Sequence, residues 1–185
     1  MNQNPGSLPY ELKQIVDDIN RCISAKLYYP ALAITLTLPE ICSGLTLDPT
    51  EEVRGAHYKA FMAKYSKEDE LGLDGEACYF VRCGLIHKGT PSANAKLKAT
   101  NVVFTVPETE AAFHGIGIHF GDDKRIPMLD LKLFCKAMEL AVDRWYLDNA
   151  KNPKVARNIT SLLSWKLTGN LPAITGRLVL ASGEV

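Results

Sequence analysis

From residue 9 onward Leu12, Ile15, Val16, Ile19 and Ile23 recur at helical steps, predicting a first helix with Ser7 as N-cap and Pro9 in its first turn. Residues 1–7 are polar beyond Met1 and read as a frayed terminus. The segment 28–45 is apolar nearly all round (Tyr29, Ala31, Leu32, Ala33, Ile34, Leu36, Leu38, Ile41). Its alternating stretch Ile34-Thr35-Leu36-Thr37-Leu38 could pass for a strand, but the length favours a buried helix, which Pro39 should kink or break and Gly44 should close. Asp48-Pro49-Thr50-Glu51-Glu52 has the make-up of a first turn, so a third helix is expected to start there and carry Val53, Ala56, Ala60, Phe61 and Tyr65. A polar, acidic stretch at 66–76 leads through Asp74 or Gly75 into a fourth helix over 77–88, which stops at His87-Lys88-Gly89-Thr90-Pro91.

Residues 90–100 read as a loop, and two period-two runs, 101–107 and 116–120, predict a hairpin at about 101–120 punctuated by Gly115, Gly117 and Gly121. Residues 122–125 suit a turn. A long amphipathic helix over 130–150, packing across the hairpin, and a last helix over about 153–165 follow. The fold of 166–185 stays open, with Arg177-Leu178-Val179-Leu180 able to form a short strand. No repeat or linker interrupts the chain. The expected class is mainly α: one domain over 1–185, an up-and-down helical bundle with a small β-hairpin and additional C-terminal helices.

Composition narrows the function more than the fold. The chain has 185 residues, 46% of them apolar, with 21 Lys plus Arg against 21 Asp plus Glu. A net charge of zero argues against a protein that is basic over its whole surface. The longest apolar runs are too short to cross a membrane, the N-terminus lacks a signal-peptide pattern, and five cysteines without a C-x-x-C pair indicate reduced thiols. These features imply a cytoplasmic protein.

The familiar nucleotide-loop, nucleophile-elbow and metalloprotease patterns are absent, and no cofactor or metal is expected. His114 and His119 read as rim or turn residues of the hairpin and His57 as a surface or interface residue. What remains is Gly75-Glu76-Ala77-Cys78-Tyr79-Phe80-Val81-Arg82-Cys83-Gly84-Leu85-Ile86-His87-Lys88-Gly89. A guanidinium forks onto two phosphate oxygens, and an imidazole, with an ordinary pKa near 6.5, moves protons at neutral pH. Five residues along a helix is about 140°, so Arg82 and His87 share no face strictly and converge only where the helix ends or where two copies meet. An Arg in so apolar a helix needs a partner, and Glu40, just after Pro39, is the candidate. Charge is also uneven: 67–76 holds five acids, whereas 77–107 holds none and carries Arg82, Lys88, Lys96 and Lys98.

The spacing Arg82-x4-His87 at a helix end resembles the signature of the HEPN superfamily (higher eukaryotes and prokaryotes nucleotide-binding domains). Cys78-Tyr79-x-x-Arg82-Cys83-x-Leu85-x-His87-x-Gly89, with Leu36-x-Leu38-Pro39-Glu40-Ile41-Cys42 upstream, is similar to a group of small uncharacterised bacterial proteins carrying it. The resemblance covers roughly residues 10–90. It implies a helical bundle that homodimerises, bringing two Arg–His pairs into one cleft, and in many members metal-independent RNA cleavage. Arg82 would then bind phosphate and His87 would be the catalytic acid or base, with Glu40, Tyr79 and Lys88 in support. Active members often carry Asn directly after the Arg; Cys83 stands there and cannot give the same hydrogen bonds. Cys83 reads instead as packing near the imidazole and, with Cys78, as core filler. The alternative is a non-catalytic protein-interaction or nucleotide-binding module, in which Arg82 and Glu40 form a structural ion pair and His87 caps its helix.

Overall fold

The computed structural model describes residues 7–90, 102–107, 113–120, 124–167 and 176–183. The chain is mainly helical: α1 Tyr10–Ser24, α2 Tyr28–Leu45, α3 Gly55–Tyr65, α4 Glu68–Leu71, α5 Gly75–Lys88, α6 Leu131–Asn149 and α7 Pro153–Ile159. The predicted loop at 90–100 lies almost wholly outside the described residues.

α2 is the hub, packed against α1, α3, α5, α6 and α7. Its all-round apolar sequence is what such a position demands, because every face meets a neighbour. Leu36, Leu38 and Cys42 are fully buried. Pro39 lies inside the helix and does not end it. The missing N–H costs one ladder bond, but Pro39 is itself buried, and contacts with five helices hold the segment on course. Leu12 and Ile19 of α1 reach the core as their spacing implied, although Pro9, in place of Ser7, occupies the N-cap position.

The third helix starts later than expected. α3 begins at Gly55, and the acids upstream serve tertiary contacts: Asp48 pairs with Lys154 at 2.6 Å and Arg157 at 3.4 Å, while Glu51 accepts from the Asp48 amide at 2.8 Å. The Lys154 hydrogen bond, first among several causes, holds the Asp48 carboxyl below its ordinary range. α3 is also rotated from its expected face, with Tyr58, Phe61 and Met62 buried and Ala56 and Ala60 exposed. The acidic stretch contributes α4, where Glu70 takes two hydrogen bonds from Arg144 of α6 at 2.7 and 2.8 Å.

α5 runs from the Asp74 cap, whose carboxylate accepts from the Ala77 amide at 2.7 Å, to Gly89 at φ +67°. That left-handed turn favours glycine and closes the helix straight after His87 and Lys88.

The predicted hairpin is corrected. β1 (Val103–Thr105) and β2 (Ile116–Phe120) do not pair with each other; both pair with β3 (Lys124–Asp130), giving the order β1-β3-β2. β3 runs parallel to β1 and antiparallel to β2, with Ile118 opposite Ile126. Lys124 and Arg125, expected in a turn, start this central strand. Asp130 ends it and caps α6 by accepting from the Leu133 amide at 2.8 Å. α6 then packs on β3 as well as on α2.

The last helix is shorter than predicted, ending at Ile159. Asn158 spends its amide on the carbonyls of Leu45 and Leu47, at 3.1 and 2.8 Å. The Thr160 and Ser161 hydroxyls bond back to backbone carbonyls at 3.0 and 2.6 Å, which favours a turn over another helical step. Residues 164–167 form β4 (Ser164–Leu167), antiparallel to β5 (Leu178–Ala181).

Candidate functional site

α2 and α5 pack side by side, and their polar exceptions meet. Arg82 donates through Nη2 to Glu40 Oε2, the partner its apolar surroundings called for. The pair is shielded, with side chains only 15% and 30% exposed for Arg82 and Glu40. Arg82 Nη1 lies 3.3 Å from His87 Nε2. A guanidinium has no acceptor, so in this hydrogen bond Nε2 accepts, which requires a neutral imidazole with its proton on Nδ1. The 140° between the two positions is overcome within one chain, because His87 sits in the last turn and the long Arg82 side chain spans the gap. Arg82 therefore bridges a half-buried carboxylate and an exposed imidazole, and its buried Nε finds no partner among the described residues.

Tyr79 supports the helix more than the chemistry. Its ring lies 5.4 Å from that of Tyr58 and 5.9 Å from that of Phe80, and Lys59 Nζ, paired with Glu76 at 2.8 Å, sits 5.5 Å over it. A hydrogen bond with Cys83 is the first cause holding the Tyr79 hydroxyl above its ordinary pKa, so the thiol after Arg82 is engaged with a phenol. The hydroxyl also presses on the start of α3: a Cβ at Gly55 would overlap it. Gly55→Ala should displace Tyr79 and cost about 1–3 kcal/mol, read as a lower denaturant midpoint with an unchanged slope. Lys88 is exposed in the last turn of α5, while Lys96 and Lys98 lie outside the described residues.

Tyr58 was not legible as a site residue. It is fully buried, its hydroxyl is unpartnered among the described residues, and burial first, with Cys78 nearby, pushes its pKa well up. The signal lay in Tyr58, Phe61, Met62 and Tyr65, a three-four stripe that outcompetes Ala56 and Ala60. Beside Glu40 opens a groove of about 600 Å³ walled by Ile41, Gly44, Val53 and Leu162, with Asp48 and Arg157 on its rim.

His114, His57 and the buried cysteines take structural places, while His119 is exposed on β2. His114 bonds through Nε2 to the Glu70 carbonyl at 2.8 Å, and His57 Nδ1 accepts from the Arg54 amide at 3.0 Å. Among the described residues no group of three or more His, Cys, Asp or Glu is placed to hold a metal ion. Burial pushes the thiols of Cys42 and Cys78 far up and that of Cys135 up to about 11. Since the thiolate is the nucleophile, alkylation of the native protein near pH 7 should label the half-buried Cys22 and Cys83 first. Mass spectrometry should find Cys42, Cys78 and Cys135 modified only after denaturation.

Comparison with known proteins returns no match: no protein-family model, no curated protein and no solved structure is similar to this chain. No described helix is long and apolar enough to cross a membrane.

Proposed function

We propose that the chain is a HEPN-like, homodimeric RNA-binding protein that cleaves single-stranded RNA without a metal ion. The observation that carries this reading is the contact between Arg82 and His87 at the open end of α5, with Arg82 fixed from behind by Glu40. A guanidinium with hydrogens left over on Nη1 and Nη2 suits two phosphate oxygens, and a neutral imidazole beside it suits proton abstraction.

In the proposed reaction the 2′-oxygen attacks the adjacent phosphorus and the bond to the 5′-oxygen breaks. His87 takes the proton of the 2′-hydroxyl. Arg82 stabilises charge on the non-bridging oxygens. The departing 5′-oxygen takes a proton from water and His87 returns its own to solvent, leaving a 2′,3′-cyclic phosphate and a 5′-hydroxyl. Exposed Tyr29, whose hydroxyl donates to the Leu85 carbonyl at 3.3 Å, and exposed Ile86 offer apolar surface for pairing two copies at the end of α5.

The shielding of Arg82 and Glu40 favours a second reading, a non-catalytic module in which this pair joins α2 to α5 and nothing more. Incubating the purified wild-type protein with single-stranded RNA in EDTA separates the two. Cleavage that survives the chelator is expected; intact RNA leaves only the non-catalytic reading.

A further inference from the structure

The β4–β5 ribbon has two unlike faces. Trp165 stands opposite Leu180 and Leu167 opposite Leu178. Side chains alternate along a strand, so these four share one face while Ser164, Lys166, Val179 and Ala181 share the other. The second face turns inward: Ser164 is fully buried and the other three are half-buried. The first faces outward, although it is the more apolar of the two. That reverses the usual pattern of a sheet with one solvated face.

The outward face continues past the ribbon. The Tyr10 hydroxyl donates to the Trp165 carbonyl at 3.2 Å, which stands the exposed Tyr10 beside it, and Leu163 extends β4 with the same parity. The Trp165 amide donates to Gln14 Oε1 at 2.8 Å, so the ribbon is anchored on α1. Tyr10, Leu163, Trp165, Leu167, Leu178 and Leu180 are each between 40% and 69% exposed. Side by side they supply the apolar centre of a patch of the kind that contributes about 800 Å² per partner to a standard interface.

We infer that this face is covered by the same face of a second copy, the two ribbons packing as a small sandwich about a two-fold axis. Three observations favour a copy of this chain over another occupant. The six residues carry no charge, as in the interfaces of homodimers. All six are large and exposed side by side, the apolar centre that a dimer needs from each side. The chain's net charge is zero, so two copies meet without long-range repulsion. The surface is separate from Arg82 and His87 and stands whether or not those residues act on RNA.

The test is the mass of the full chain in solution, by light scattering at micromolar concentration. The double variant Leu167→Lys/Leu178→Glu places opposite charges across the ribbon, which keeps the two strands paired while making the face hydrophilic. Its mass should be half that of the wild type, with an unchanged circular dichroism spectrum. Halving is expected whether α5 also pairs two copies, making the wild type a tetramer, or does not. If the double variant fails to fold, Leu178→Ser alone should weaken association at least about tenfold, read as a shift of the mass profile on dilution. A monomeric wild type, or a folded variant with the wild-type mass, overturns the inference.

Discussion

Replacing His87 with alanine is expected to abolish RNA cleavage while leaving the protein folded. The side chain is exposed, and among the described residues it hydrogen-bonds Arg82 Nη1 at 3.3 Å. Losing so exposed a contact should shift stability by no more than about 0.5 kcal/mol, the usual range for surface changes. The imidazole is also the group proposed to take the 2′-hydroxyl proton, and removing a positioned general base typically lowers the rate by about 10²–10⁴-fold. A thermal melt alongside a cleavage assay separates the two effects. His87→Ala with a wild-type melt and wild-type cleavage would remove the imidazole from the mechanism.

Arg82→Ala should behave differently, because this residue joins the fold to the chemistry. Glu40 would lose the guanidinium it faces across the α2–α5 contact. Stranding a fully buried carboxylate costs about 3–5 kcal/mol; with Glu40 30% exposed, solvent screens part of that, and about 2 kcal/mol is expected. RNA affinity should fall as well, through loss of the bidentate donor. Glu40→Gln is the informative companion. The amide oxygen can still accept from the guanidinium, but the negative charge next to any bound phosphate is gone. Stability should fall by less than in Arg82→Ala, and affinity for single-stranded RNA should rise a few-fold at low salt. Equal losses of stability in the two variants, with no change in RNA affinity, would mark the pair as purely structural.

The parts of the fold legible in the sequence were those where local pattern and tertiary need agree. α1, α2, α5 and α6 fall close to their periodic stretches, and Asp74, Gly89 and Asp130 mark their ends because each satisfies a helix terminus directly. The Glu40–Arg82 pair was legible for a related reason: a charged residue in an apolar helix must find a counterion, and few were within reach. Local signals failed where distant contacts decide. Pro39 reads as a breaker, yet five packed helices carry α2 through it. The acids at 48–52 look like a first turn, but the partners of Asp48, Lys154 and Arg157, lie more than a hundred residues away. β3 was hidden because Asp122-Asp123-Lys124-Arg125 resembles a turn, although the strand that starts at Lys124 pairs on both sides. Tyr58 stayed unnoticed because period alone does not say which stripe of α3 meets α5.

This chain is neutral overall, so any affinity for RNA rests on where its charges stand. The structure places one shielded cation, Arg82, against an imidazole at a helix end and pairs it with Glu40, which would compete with any bound phosphate for that cation. Such a site is suited to gripping one phosphate of a strand rather than coating a duplex.

The most direct measurement is the chemistry of the ends produced from one oligonucleotide, made as RNA and as DNA of the same sequence and incubated in EDTA with the wild type and with His87→Ala. The wild type should cut the RNA, leaving 2′,3′-cyclic phosphate and 5′-hydroxyl termini, and should leave the DNA whole because it lacks the attacking 2′-oxygen; His87→Ala should cut neither. RNA left intact by the folded wild type, or cut equally by His87→Ala, would contradict the assignment of Arg82 and His87 as the working pair.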